Sequence, residues 1–148
     1  MTKGKKTLRV TINVDGGAKG NPGPAAAGVV VSCADDGTVL HQAGIFLGRA
    51  TNNVAEYSAL LAGLQAALGL GAGQVEVLSD SELIVRQMNG EYRVRNDGLV
   101  PLHGKAKSLA EKFGRFKITH VSRDRNKQAD RLVNLALKAG RNVEDAGD

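Results

Sequence analysis

There is no tryptophan in these 148 residues, and aromatic side chains make up only 3% of them. Stacking platforms for unpaired bases are therefore nearly absent, so a nucleic-acid partner would be a duplex read through its backbone. A single cysteine, Cys33, excludes an intrachain disulfide and any cysteine-based zinc site, and its place in a strand predicts a buried, inert thiol. No apolar stretch reaches membrane-spanning length, and the opening Met-Thr-Lys-Gly-Lys-Lys has no signal-type apolar segment behind it. The expectation is a cytoplasmic protein with no membrane partner. There is no repeat and no low-complexity tract. The length suits one domain, expected over 8–140 between a flexible basic N-terminus (1–7) and a polar C-terminal tail (141–148).

Twenty Lys and Arg stand against fifteen Asp and Glu, for a net charge of +5 and a pI of about 9.6. Charge of this size fits a polyanionic partner and equally fits plain solubility. Patterning says more. Strands are expected over 7–15, 25–34 and 37–47, the latter two joined at Asp35-Asp36-Gly37 as part of an antiparallel meander. Apolar residues then recur at Val54, Tyr57, Leu61, Leu64 and Leu68, which predicts a helix from Asn53 to about Leu70. A strand at 74–79, a short helix at 81–88, a helix at 99–113 with Pro101 in its first turn, a strand at 116–121 and a last helix capped by Asn126 complete the chain. Three strands followed by alternating helix and strand predict an α/β fold: a mixed five-stranded sheet, three antiparallel strands and two parallel, flanked by helices.

Four acids occupy special places in this plan. Asp15 ends the first apolar strand ahead of a glycine- and proline-rich turn, Asp80 closes the fourth strand, Glu56 lies early in the first long helix, and Asp130 lies one turn into the last. Taken singly they have ordinary readings as a turn residue, an N-cap, helix surface and a first-turn acid. Taken together, strand and helix ends can bring them to one rim of the sheet. Clustered carboxylates repel one another and persist where divalent cations neutralise them, and hard oxygen donors suit Mg²⁺ or Mn²⁺.

Asp15-Gly16-Gly17 with Gly20-Asn21-Pro22-Gly23-Pro24, Thr51-Asn52-Asn53 with Glu56, Ser79-Asp80-Ser81, and Arg125-Asn126 with Ala129-Asp130 together resemble type 1 ribonuclease H, over roughly residues 8–138 and in family order. The stretch Ala50 to Tyr57 is similar to the actinobacterial branch, in which such a domain can be fused to a phosphatase domain. The resemblance implies an endonuclease that hydrolyses the RNA strand of RNA/DNA hybrids with two Mg²⁺ ions, Mn²⁺ being a substitute, to leave 5′-phosphate and 3′-hydroxyl ends. It assigns Asp15 to both ions, Glu56 and Asp80 to the leaving-group ion, and Asp130 to the ion that orients water. It assigns Asn21 and Thr51 to a phosphate of the DNA strand, Asn52, Asn53 and the backbone at Gly16 to the minor groove, and Ser81 to substrate binding. Either Asn52 or Asn53 is also expected to cap the helix that follows.

The chain departs from well-known bacterial members in two places. Their loop histidine before the last helix has no counterpart in Ser122-Arg123-Asp124-Arg125, which leaves Arg123 and Arg125 as candidates to bind the cleaved phosphate; His41, His103 and His120 match no functional position. Their basic, tryptophan-bearing insertion is replaced by Glu91 to Gly98, so hybrid affinity would rest on Arg93, Arg95, Lys105, Lys107 and the N-terminal Lys3, Lys5 and Lys6, and would be salt-sensitive. The competing readings are a non-cleaving hybrid-binding module and another metal nuclease of the same architecture. A monomer with no obligate protein partner is expected.

Overall fold

Apolar residues at every second position from Leu8 build the strand around which the rest is arranged. The structure is a computed structural model that describes residues 7–144. Strands β1 (Leu8–Ala18), β2 (Gly23–Cys33) and β3 (Val39–Ala50) form an antiparallel meander. Helix α1 (Asn52–Gly69), β4 (Ala72–Ser79), α2 (Glu82–Met88), α3 (Val100–Ala110) and β5 (Arg115–His120) follow, then a 3₁₀ turn (Arg123–Asn126), α4 (Lys127–Ala139) and β6 (Val143–Glu144). The sheet order is β5-β4-β1-β2-β3-β6, with β1-β4 and β4-β5 parallel.

The sheet thus has six strands where five were expected. Gly140 ends α4 in the left-handed conformation at φ 65° and turns the chain back along β3, where Gly44 and Ala43 pair with Val143 and Glu144. Asn142 fixes the return by accepting a 2.8 Å hydrogen bond from the Phe46 amide. Part of the expected tail is therefore structured; Lys3, Lys5 and Lys6 lie outside the described residues.

The larger correction concerns Asp15. β1 does not stop there: Gly16, Gly17 and Ala18 continue the ladder opposite Ala27, Ala26 and Ala25, and the turn begins only at Lys19. Glycine keeps both backbone hydrogen-bonding groups and can stay in a ladder when a partner strand is present; the prolines that cannot lie further on, at 22 and 24. Asp15 consequently sits in a central strand. The element that ends beside it is β4, whose parallel pairing with β1 stops at Val14 and Ser79.

By the alternation of a strand, Val10, Ile12 and Val14 face one side of the sheet and join the main core beneath α1 and α3. α1 does not present a single apolar stripe. It is sheathed by the sheet on one side and α3 on the other, so Ala55, Ala59, Gly63 and Ala67 are buried as fully as Leu60 and Leu64. Truncating Leu64 to Ala would cost about 2–5 kcal/mol. Tyr57 is fully buried and satisfies its hydroxyl at 2.7 Å from Oε1 of Gln87, itself buried. α4 covers β2 and β3 on the opposite face through Ala129, Leu132, Val133 and Ala136, leaving β1, β4 and β5 uncovered there toward their N-terminal ends. Cys33, expected to be buried, is half-exposed at the end of β2.

Candidate active site

The positions of the four acids follow from where elements stop. Asp15 stands on β1 at the level where the β4 ladder ends, and Asp80 is the next residue of β4 as it turns away. Ser79 holds that turn: its buried hydroxyl accepts from the Ser81 amide at 3.0 Å, and Ser81 Oγ in turn caps α2 at the Ile84 amide, 3.4 Å away. Glu56 lies in the first turns of α1, which Gly16 lets press against β1. A Cβ on Gly16 would stand 2.3 Å from the Ala55 carbonyl carbon and 2.4 Å from the Glu56 amide nitrogen. Gly28, opposite Asp15, does the same for α4, since a Cβ there would meet the Ala129 carbonyl oxygen at 2.1 Å, one residue before Asp130.

Asp15, Glu56 and Asp80 each bring one carboxylate oxygen to within 4.8 Å of the others. Asp130 lies near enough to Asp15 to hold its carboxyl up, and Asn134 donates to Asp130 Oδ2 at 3.4 Å. All four line one open groove of about 660 Å³. Burial, then the charges of Asp80 and Asp130, push the Asp15 carboxyl up to about 8. Burial first, then Asp15 and Asp80, push Glu56 up to about 9, against opposing pulls from the Gly16 amide and the Arg123 guanidinium. Glu56 Oε1 is buried with no hydrogen-bond partner among the described residues. An orphaned anionic oxygen among repelling acids fits a cation ligand, and an all-oxygen donor set fits Mg²⁺ or Mn²⁺ in preference to a soft metal.

The remaining sequence candidates divide. Gly16, Asn52, Ser81 and Arg123 line the groove with the acids; Asn21, Thr51, Asn53 and Arg125 do not. Neither Asn52 nor Asn53 caps α1. Thr51 does, accepting from the Val54 amide at 3.2 Å, because it is the last extended residue before the helix. Asn52 instead accepts from the Ala18 amide at 2.8 Å, and Asn21 accepts from the Asn52 amide at 3.0 Å. The turn after β1 is thereby pinned to the start of α1 through two amide oxygens.

Asn126 also departs from its expected role. It stands at the N-cap of α4 but makes no capping bond; its side chain is buried against β1, donating to the Val14 carbonyl at 2.7 Å and accepting from Asn13 at 3.0 Å. Several groove residues were missed in the sequence, among them Asn134, which gave no signal beyond its helix. Lys19 carried no signal beyond its neighbours, and His120 was set aside as unmatched, although it closes β5 opposite Ser79 and faces the groove.

A family model described as "Reverse transcriptase-like" matches residues 13–136. The chain is 49% identical over 132 residues to the "Bifunctional protein Rv2228c" of Mycobacterium tuberculosis, covering 89% of this chain and 36% of that protein. It thus spans about a third of the length of the curated relatives it first matches. The crystal structure of RNase H1 from Halobacterium salinarum superposes with a TM-score of 0.85 at 41% identity, covering 88% of this chain and 98% of that one. LC11-RNase H1, in complex with an RNA/DNA hybrid, superposes at 0.84 with 40% identity and the same coverages.

Proposed function

The chain belongs to the type 1 ribonuclease H family, and from that premise we propose that it is an endonuclease that hydrolyses the RNA strand of RNA/DNA hybrids, leaving 5′-phosphate and 3′-hydroxyl ends. The observation that carries this reading is the meeting of Asp15, Glu56 and Asp80, with Asp130 beside them, in a groove whose rim also presents Asn52, Gly16 and Arg123. A binding module that does not cleave has no use for carboxylates held together at such electrostatic cost.

Asp15, Glu56, Asp80 and Asp130 would hold two Mg²⁺ ions, with Mn²⁺ as a substitute. When bound, these cations supply an activated water and neutralise charge at the scissile phosphate. The other residues position the duplex. In this reading Asn21 and Thr51 would bind a phosphate of the DNA strand, Asn52, Asn53 and the Gly16 backbone would contact the minor groove, and Ser81 would add a further substrate contact. The 2′-hydroxyl of RNA both donates and accepts, which suits a surface that mixes amides with a carboxylate. Of the two loop arginines, Arg123 is the better candidate to hold the cleaved phosphate, because it lines the groove and its charge is felt at Glu56. The protein acts in the cytoplasm as a monomer in this reading.

The test is incubation of purified protein with an end-labelled RNA/DNA hybrid, duplex RNA and duplex DNA, with Mg²⁺ and separately with Mn²⁺, beside Asp15→Asn. Cleavage of the hybrid alone, lost in the variant, is the expected result. Hybrid binding without cleavage under either metal would replace this reading with a binding module, and cleavage of duplex DNA would replace it with another nuclease class.

A further inference from the structure

An asparagine at a helix N-cap ordinarily spends its side-chain oxygen on the helix's own free amides. Asn126 does not. Its side chain is 1% exposed and is used up by β1, with Nδ2 on the Val14 carbonyl at 2.7 Å and Oδ1 receiving Asn13 Nδ2 at 3.0 Å. Asn13 Nδ2 also reaches the Arg125 carbonyl at 3.4 Å. Val14 is the residue before Asp15, and it is where the β1–β4 ladder ends. Asn126 is one helical turn before Asp130 and three residues after Arg123. This one buried amide therefore joins the strand that carries Asp15 to the segment that carries Asp130 and Arg123.

We infer that Asn126 is a positioning residue for the reaction: it sets the first turn of α4 against β1 so that Asp130 meets Asp15, and its helix goes without a side-chain cap as a result. The inference deepens the nuclease reading and rests on it. A substitution at 126 removes none of the four carboxylates but frees the 3₁₀ turn and the start of α4, with Asp130, from β1. Productive metal and phosphate geometry tolerates displacements of about 0.5 Å, and misplacement by about 1 Å costs on the order of 100-fold in rate.

The experiment compares wild type, Asn126→Ala, Asn126→Asp, Asn13→Ala and Leu64→Ala, the last being a core truncation remote from the groove. Each is assayed well below its own melting temperature. Asn126→Ala should lower kcat about 10- to 100-fold while KM for the hybrid moves less than about 3-fold, and should raise the Mg²⁺ concentration for half-maximal rate. Asn126→Asp keeps the acceptor for Asn13 but loses the donor to Val14, and should fall with Ala. Asn13→Ala should lose less, and it carries the test if both variants at 126 fail to fold. Leu64→Ala should melt lower with kcat kept. Equal kcat losses in Leu64→Ala and Asn126→Ala would overturn the inference, as would an unchanged kcat and Mg²⁺ requirement in Asn126→Ala. A second readout needs no turnover: the rise in melting temperature on adding Mg²⁺ should shrink in Asn126→Ala. If wild type leaves the hybrid uncut, the nuclease reading fails. An undiminished Mg²⁺ response in Asn126→Ala sinks the positioning role separately.

Discussion

Two clefts border the central strands and treat charge in opposite ways. The first, about 260 Å³ on the uncovered part of β1, β4 and β5, is lined by Arg9, Glu76, Arg115 and Lys117 among others. There Asp35 is paired with Arg9, and Glu76 accepts from Thr119 at 3.1 Å with Lys117 4.0 Å away. The second is the groove at the C-terminal ends of β1 and β4, where carboxylates face carboxylates and Glu56 Oε1 has no partner among the described residues. The first arrangement is what any exposed surface reaches unaided, and such pairs contribute little. The second is unfavourable by itself and marks a place where something cationic is meant to bind. Charge alone would favour the first cleft for a nucleic-acid phosphate; the unsatisfied acids are why the proposed reading places the chemistry in the second.

The largest expected effect separates the two most sharply. Asp15→Asn should reduce hybrid cleavage by more than about 100-fold, since even loss of an outer-shell partner costs metal sites 10- to 100-fold. The same change should raise the melting temperature of metal-free protein near neutral pH, because folding obliges a carboxyl pushed up to about 8 to take up a proton that the unfolded chain has released, and an amide carries no such cost. Loss of activity with loss of stability would mean that Asp15 serves the fold.

Glu56 provides the pH dependence. Its carboxyl, held up to about 9 by burial and then by Asp15 and Asp80, binds a proton in the folded state that the unfolded chain has released above about pH 4.5. The folded state thus holds more protons across this window, so metal-free stability should fall as pH rises from about 5 to 9 and level off above. Glu56→Gln should flatten that fall by several degrees in melting temperature, and saturating Mg²⁺ should offset it in wild type. Thermal melts at four pH values, with and without Mg²⁺, read this directly. A metal-free melting temperature that climbs over that range would remove the basis for the contrast between the clefts.

The loop arginines sharpen it further. Arg123→Ala should lower turnover on the order of 10-fold with a smaller change in KM, whereas Arg125→Ala, outside the groove, should act only through salt-dependent hybrid binding. Steady-state kinetics at two salt concentrations separate the two. Equal kcat effects would mean that the loop acts through net charge.

How much of this was legible in the sequence depended on whether a feature was local. Element ends suggested one rim for four acids, because a strand or helix terminus can be read from glycine, proline and the apolar period, but Asp15 reaches the groove from within a continuing strand, beside the end of β4. That β1 continues through Gly16-Gly17 could not be read there, since a glycine pair stays in a ladder only if β2 offers Ala26 and Ala27 opposite. Thr51, and neither asparagine after it, caps α1 because the chain leaves extended geometry one residue earlier than composition indicates. The direction of the Asn126 side chain was decided by a carbonyl 112 residues away. His120 belonged to the groove through its register with Ser79, a relation between two strands that neither announces alone.

The smallest effect is expected in the first cleft. Glu76→Gln removes an acid that already has Thr119 and Lys117 to satisfy it, at a side chain 42% exposed. Loss of a screened, solvent-exposed charge moves stability by no more than about 0.5 kcal/mol, or about 2 °C for a domain of this length. Hybrid cleavage should be unchanged, and so should the Mg²⁺-induced rise in melting temperature. The substitution also makes this cleft more basic, so any new grip on nucleic acid would appear as tighter, salt-sensitive hybrid binding in a fluorescence-anisotropy titration. Affinity equal to wild type assigns the cleft's charges to surface solvation; a tightening of several-fold would give the open face a part in holding the duplex, and the contrast with the acidic groove would then be one of division of labour.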